Sequence, residues 1–311
     1  MAESKKYKKI KFAESDLTWI SLNDPTEAEL ASLRKTYKFH HLDLEDCLSE
    51  TQRPKIDDYD NYLFIVLQAP KRKGRKGQVV MDEIDIFIGQ NFIVTVHDHN
   101  TIINKVFENC RKSKKIRSDY MSKGSGYLLY MIVDDIFEAG FPLLDDLSKQ
   151  VNELEVEVFH RDYSKDRLKD ILLLKKDIIN FRRIIMPQRA IIAQLEHKNK
   201  KFLPENLDVY FDDIVDKIEK MWNSLENLQE LTASLQETNE SIISHNTNNV
   251  IKILTIFSVI MLPLTFITGF YGMNVNGLPF AQSGSSVAII SSIFVTVAIV
   301  MVAYFRYKKW I

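Results

Sequence analysis

Ile253-Leu254-Thr255-Ile256-Phe257-Ser258-Val259-Ile260-Met261-Leu262-Pro263-Leu264-Thr265-Phe266-Ile267-Thr268-Gly269-Phe270-Tyr271-Gly272-Met273-Asn274 runs for 22 residues without a charged side chain. As a helix it is long enough to cross a hydrocarbon layer of ~30 Å. No breaker interrupts the chain back to Pro204. From Leu207, the positions Leu207, Phe211, Ile214, Ile218, Met221, Leu225, Leu228, Thr232, Leu235, Asn239 and Ile242 alternate steps of four and three, the spacing of a heptad seam. The pattern predicts one helix over 204–274, with Pro204 suited to its first turn. Its 71 residues would reach on the order of 100 Å at ~1.5 Å each. Most of it must then stand outside a bilayer, as a stalk over 204–252 feeding a transmembrane segment over 253–274. A seam of this kind calls for partner helices and supplies a reason for several copies to gather.

Beyond Asn274, residues 275–286 carry no charge, and 287–305 form a second uncharged run of 19 residues, short but sufficient to span. Lys252 flanks one run, and Arg306, Lys308 and Lys309 in the tail 306–311 flank the other, while the connecting loop has no Lys or Arg. The positive-inside rule places both termini in the cytoplasm, so the chain is expected as a multi-pass protein of the cytoplasmic membrane. Runs of this length exceed ordinary core helices and disfavour a buried hairpin of a soluble protein.

The 311 residues, 45% apolar, hold one good-sized soluble domain plus a small membrane part. Four of the 41 basic residues and none of the 42 acidic ones lie after His245, which leaves 37 basic against 42 acidic before it. That balance argues against a basic nucleic-acid binder. Cys47 and Cys110 lie far apart without metal-ligand spacing, as expected of free thiols in a reducing cytosol. Met1 to Lys11 is Lys-rich without an apolar core, so no cleavable signal is expected.

Residues 1–203 read as a cytoplasmic α/β domain, a mixed sheet flanked by helices. Strands are predicted at 18–22, 62–67, 83–88 and 92–96, with turns at 71–77 and 89–91. Asp24-Pro25-Thr26-Glu27 predicts a helix start with Asp24 as N-cap, Pro25 at N1 and Glu27 at N3, and 40–48 a second acidic helical piece. The basic run 71–77 has no interleaved aromatics and reads as a solvated hairpin tip. From Tyr127 the texture becomes helical: 128–159 and, after a break at 161–164, 168–195 predict a long antiparallel pair bent at Pro187, with 199–204 as the linker to the stalk.

Asn248, Ile251, Thr255, Ser258, Leu262, Thr265 and Gly269 recur by three or four, a partly polar, small-residue stripe on one face of the first membrane helix. Such stripes also mediate helix packing. The segment closes on Tyr271-Gly272-Met273-Asn274, preceded by Met261 to Gly269. A Gly-Met-Asn tripeptide at the outer end of the first of two C-terminal membrane helices resembles the signature of the CorA magnesium channels. Leu44-Glu45-Asp46, Gln52-Arg53-Pro54-Lys55, Tyr62-Leu63-Phe64-Ile65-Val66-Leu67 and the terminal Lys308-Lys309-Trp310-Ile311 are also similar to CorA, so the resemblance covers nearly the whole chain.

The resemblance implies a homo-oligomeric, pentameric funnel that takes up Mg²⁺, with Co²⁺ and Ni²⁺ as further candidate ions. Its pore mouth would be Gly272, Met273 and Asn274, lined below by the stripe, with Leu254 and Leu262 as apolar collars. CorA relatives often carry Met at the second collar, so Leu262 is a departure. Mg²⁺ gives up its water reluctantly and prefers oxygen ligands; a ring of Asn274 amides can hydrogen-bond a hydrated ion without trapping it, and Gly272 would let the backbone turn. The resemblance further implies that Asp46 and Asp213 form a regulatory Mg²⁺ site between neighbouring subunits, with Glu45 adjoining. Asp212, Asp213 and Asp216 put three acids on about one helical turn, which reads equally as a cation site or as a solvated face.

His97-Asp98-His99 and His40-His41 lack partners at ligand spacing and are expected as exposed loop residues. No P-loop, dinucleotide fingerprint or nucleophile elbow is present, so neither ATP-driven pumping, an organic cofactor nor enzymatic activity is expected. Two rivals stay open: a zinc transporter of the same superfamily, favoured by the absence from 275–286 of the acids many CorA proteins carry there, and a membrane-anchored coiled-coil scaffold or sensor that transports nothing.

Overall fold

The computed structural model describes residues 7–49, 52–74, 77–159, 166–197, 202–203, 207–275, 278–280 and 285–310. The breaks expected at 161–164 and 199–201, the helix start at Pro204, residues 75–76 of the hairpin tip and much of the outer loop lie outside them. The chain forms two compact units, Met1–Gln236 and Glu237–Ile311.

The first unit is built on a six-stranded mixed sheet of order β1-β2-β6-β5-β4-β3. Its strands are β1 (Lys8–Phe12), β2 (Leu17–Asn23), β3 (Lys55–Asp58), β4 (Leu63–Arg72), β5 (Val79–Gly89) and β6 (Phe92–His97). Among the described residues β2 and β6 pair in parallel, with Ile20 opposite Val94; the other pairs are antiparallel. The four predicted strands are β2, β4, β5 and β6, whose apolar runs are buried on both faces. Sequence reasoning missed the edge strands β1 and β3, because KKIKF and KIDD carry too much charge to show an apolar run.

One face packs Ile20, Leu22, Phe64, Val66, Phe87 and Val94 against Leu30, Leu33 and Leu44 of helices α1 (Glu27–Tyr37) and α2 (His41–Asp46). The other face is covered by α3 (Thr101–Lys112), α5 (Ser125–Glu138) and α7 (Asp166–His197), with α4 (Lys114–Met121) beside α3. Trp19 meets Phe107 of α3 edge-on with ring centroids 5.0 Å apart. The predicted start of α1 was two residues early. Thr26 is the N-cap, in a capping box with Glu29, because that pair satisfies two orphan N–H groups reciprocally; Asp24 instead turns the chain at φ +53°.

The single helix expected over 128–159 is two, α5 and α6 (Phe141–Phe159). Pro142 offers no N–H to the Glu138 carbonyl, Gly140 bonds back to Phe137 O at 2.9 Å, and a Cβ on Gly140 would lie only 3.1 Å from Met221 Sδ. The chain breaks at a glycine whose place leaves little room for a side chain. By contrast α7 runs through Pro187 as one helix of 32 residues.

His97 corrects another expectation. It is buried, not exposed, at the end of β6: Ser21 Oγ lies 3.3 Å from its Nε2, and the Asn100 N–H donates to its Nδ1 at 3.2 Å. Burial holds the imidazole down at about 4, with His99 nearby acting in the same direction. Its partners come from β2 and the cap of α3, which sequence spacing does not bring together.

The long helix α8 covers Asp208–Tyr271, against the expected 204–274. From Leu207 to Leu235 its seam is buried inside the first unit; Ile214, Met221, Leu225 and Thr232 have no exposed surface. The partner helices are the chain's own. Along α7 and α8, Arg189 pairs with Glu219, Arg182 with Glu226 and Gln229, and Lys175 with Gln236, a descending register that fixes the two helices antiparallel. Arg182 also stacks 4.2 Å from the Trp222 ring, and Tyr130 of α5 meets Tyr210 and Phe211. From Leu207 to Leu235 this seam is therefore packed against helices of its own chain. At roughly 1.5–3 kcal/mol per buried large apolar side chain, it belongs to the core of this unit.

Candidate ion-conduction and regulatory sites

In the second unit, α8 continues to Tyr271 and α9 covers Ser286–Tyr307. Both are long and apolar enough to cross a membrane, and most of their side chains are exposed. On α8, Ile256 is buried and Ile260, Leu264, Ile267 and Tyr271 are half-buried; on α9, Phe294, Val297, Ala298 and Met301 are half-buried and Phe305 is buried. All eight candidate pore positions, Asn248, Ile251, Leu254, Thr255, Ser258, Leu262, Thr265 and Gly269, are exposed. Ser258 against Ile260, Leu262 against Leu264 and Thr265 against Ile267 are each two residues apart, about 200° around a helix. The stripe faces away from the shielded row, with Leu262 72% exposed. Such a surface is stable only against lipid or further copies of the chain.

The hydroxyls on this stretch share an orientation. Thr255 donates to Ile251 O at 2.7 Å, Thr265 to Met261 O at 2.9 Å and Thr268 to Thr265 O at 2.8 Å. With each proton returned to the helix backbone, the oxygen lone pairs remain for an outside donor. Asn248 and Ser258 add further polar atoms. A hydrated cation presents water hydrogens, which such a face can accept.

The helix ends at Tyr271, three residues before Asn274, so Gly272, Met273 and Asn274 lie beyond it, all exposed. Gly272 N still donates to Thr268 O at 2.8 Å and Met273 N to Phe270 O at 3.4 Å. Gly272 does not use a left-handed turn. A Cβ there would meet Thr268 O at 3.0 Å, a tight contact that a side chain could enter only with a small shift.

The regulatory candidates lie in the first unit. Glu45 is exposed on α2, and Asp46 Oδ2 accepts from Lys55 Nζ at 2.8 Å. Asp213 on α8 is exposed and 3.4 Å from Lys217 Nζ, which also reaches Asp134 at 2.6 Å and Glu138 at 3.4 Å. Asp212 and Asp216 are exposed. Among the described residues no group of three or more His, Cys, Asp or Glu is arranged to hold a metal within one chain.

Sequence reasoning missed two buried acids, Asp43 of α2 and Asp85 of β5. Asp43 is buried and accepts the Tyr59 and Tyr62 hydroxyls at 2.8 and 2.7 Å, which anchors the helix that carries Glu45 and Asp46. Asp85 of β5 is 4% exposed, and its Oδ1 has no hydrogen-bond partner among the described residues. Burial, seconded by Glu83, pushes its carboxyl from an ordinary 3.8 to about 8. Burial also drives the Cys47 thiol beside it upward, and Cys110 to about 12, which disfavours the thiolate at both.

Because the folded value for Asp85 lies above the unfolded one, its contribution to stability is complete below pH ~4 and is lost as pH rises through 8. Asp85→Asn keeps the shape and cannot ionise. It should stabilise the protein by on the order of 2 kcal/mol near neutral pH and flatten the fall in stability between pH 5 and 8. Unfolding midpoints across that range check this; an unchanged slope would dismiss the assignment.

A mixed-sheet domain, one long helix and two segments long and apolar enough to cross a membrane are the marks of an integral membrane protein with a soluble domain. The chain belongs to the family of the CorA-like Mg²⁺ transporter protein, whose sequence model matches residues 14–309. It is a divalent metal-ion transporter, not an enzyme, and the scaffold reading falls away. It is 33% identical to the putative metal ion transporter YfjQ of Bacillus subtilis, over 94% of this chain and 89% of that one. Identity to the cobalt/magnesium transport protein CorA of Thermotoga maritima is 28%, over 94% of this chain and 83% of that one. The complete structure of the CorA magnesium transporter from Methanocaldococcus jannaschii shares the fold at a TM-score of 0.85 and 24% identity, covering 97% of this chain and 94% of that one. The zinc transport protein ZntB of Yersinia pseudotuberculosis is 22% identical over 94% of this chain and 88% of that one.

Proposed function

We propose that the chain assembles as a homo-oligomer, a pentamer by likeness to the family, in the cytoplasmic membrane with both termini inside, and conducts hydrated Mg²⁺. The observation that carries this is the exposed stripe from Asn248 to Gly269, whose threonine protons are tied to the helix backbone so that oxygen lone pairs face outward. Around an axis, these copies would surround a water-filled path accepting hydrogen bonds from the ion's own water shell. Leu254 and Leu262 supply apolar constrictions that close by dewetting, and the exposed Asn274 amides with the Gly272 and Met273 carbonyls supply the mouth. Cytoplasmic Mg²⁺ closes the path by bridging Asp46, with Glu45 beside it, to Asp213 of the neighbouring subunit, on the same helix as the stripe. Binding shifts the equilibrium only as far as it favours the closed state.

A second reading, Zn²⁺ as the transported ion, is favoured by the similarity to ZntB and by the uncharged outer loop. Competitive uptake into liposomes separates the two. Mg²⁺ influx should be inhibited by Co²⁺ and Ni²⁺ and blocked by cobalt(III) hexaammine, whose ligand shell imitates a hydrated ion. Insensitivity to the hexaammine together with preferred Zn²⁺ flux would establish the second reading.

A further inference from the structure

We infer that Lys55 and Lys217 are tethered counter-ions of the two regulatory acids, and that they set how much Mg²⁺ is needed to close the channel. This rests on the regulatory reading of Asp46 and Asp213. Each acid already has an ammonium partner from its own chain. Lys55 Nζ lies 2.8 Å from Asp46 and 2.6 Å from Asp57, held 5.2 Å from the centre of the Phe64 ring. Lys217 Nζ lies among three carboxylates from two helices, Asp134, Glu138 and Asp213. Both lysines are only partly exposed, 34% and 24%, as is Asp46 at 24%, so solvent screens the Lys55–Asp46 pair less than an ordinary surface one; Asp213, 58% exposed, leaves its pair with Lys217 the more screened of the two.

An ammonium is a compact point charge with three donors. It can neutralise a carboxylate but cannot bridge two protomers as a divalent ion does. An arriving Mg²⁺ must displace it or bind beside a like charge, and either lowers the affinity of the site. At low Mg²⁺ the acids are therefore not left bare. Each lysine takes the place of the ion, and loss of the bridge between subunits loosens the assembly more than repulsion does.

The test uses the full-length protein in liposomes, reading the Mg²⁺ concentrations that half-inhibit the current and half-protect the stalk from protease. Lys217→Met should lower both midpoints roughly tenfold, the loss of one charge interaction of partly buried groups. Lys55→Met should move them in the same direction, and Lys217→Arg, which keeps the charge, should stay within about twofold of wild type. Should Lys217→Met fail to fold, Lys55→Met decides by the same criterion. Unchanged or raised midpoints in the methionine variants overturn the inference. Asp46→Asn with Asp213→Lys is measured in parallel. If that double variant loses Mg²⁺ protection while the methionine variants match wild type, the regulatory site stands and the counter-ion role is wrong. If the double variant keeps wild-type midpoints, the regulatory reading itself fails.

Discussion

Asn274→Ala should abolish or strongly reduce cation uptake while the protein still assembles and its first unit melts as wild type. Asn274 lies beyond the last residue of α8, exposed, where no core contact depends on it. The variant removes only an amide oxygen and two N–H donors. An amide hydrogen bond contributes about 1 kcal/mol net, but the proposed mouth repeats it around an axis, so two or more copies lost together lower the rate at least ~30-fold. Asn274→Gln, which keeps the amide on a longer stem, should recover part of the flux. Uptake by proteoliposomes at matched protein content is the measurement. Wild-type flux in the assembled alanine variant would rule the mouth out, leaving the tripeptide as a helix terminus only.

Ile218→Asp should unfold the first unit. Ile218 is 1% exposed on the seam of α8, beneath the α7 residues that pair along it. Placing a carboxylate there costs the apolar burial and strands a charge without a partner, a loss above ~4 kcal/mol, against a total stability of roughly 5–15 kcal/mol for an ordinary domain. Ile218→Ala should cost about 2–5 kcal/mol by the cavity it leaves and remain folded. Thermal melts and limited proteolysis of the full chain check both. If the seam joined copies, the aspartate variant would instead dissociate while its first unit kept the wild-type melting point. That result would return the seam to the intermolecular role its spacing first suggested.

This case also shows what heptad spacing can say. Steps of four and three from Leu207 to Leu235 require a helical partner, and they found one. They do not distinguish a helix of the same chain from one of another. Arg182, Arg189 and Lys175 decide that, since they lie on α7 at intervals matching Glu226, Glu219 and Gln236 in reverse. His97 is similar: next to Asp98 and His99 it reads as a polar loop, yet Ser21 and the Asn100 N–H receive it inside.

The sequence by itself determined the two uncharged runs, the mixed sheet with flanking helices, the candidate stripe, and the family through motifs spread over nearly the whole chain. These are legible because transfer from water and backbone periodicity act locally, so a span or an amphipathic face is written in adjacent residues. Only the tertiary structure decided that the seam from Leu207 to Leu235 packs within the chain, that Gly140 and Pro142 split a helix, that Asp43 of α2 is anchored by two tyrosines while Asp85 of β5 is buried with one oxygen unbonded, and that Asp46 and Asp213 each hold a lysine. Those outcomes depend on which residues distant in sequence meet in space, since burial and charge pairing are properties of a neighbourhood and not of a stretch.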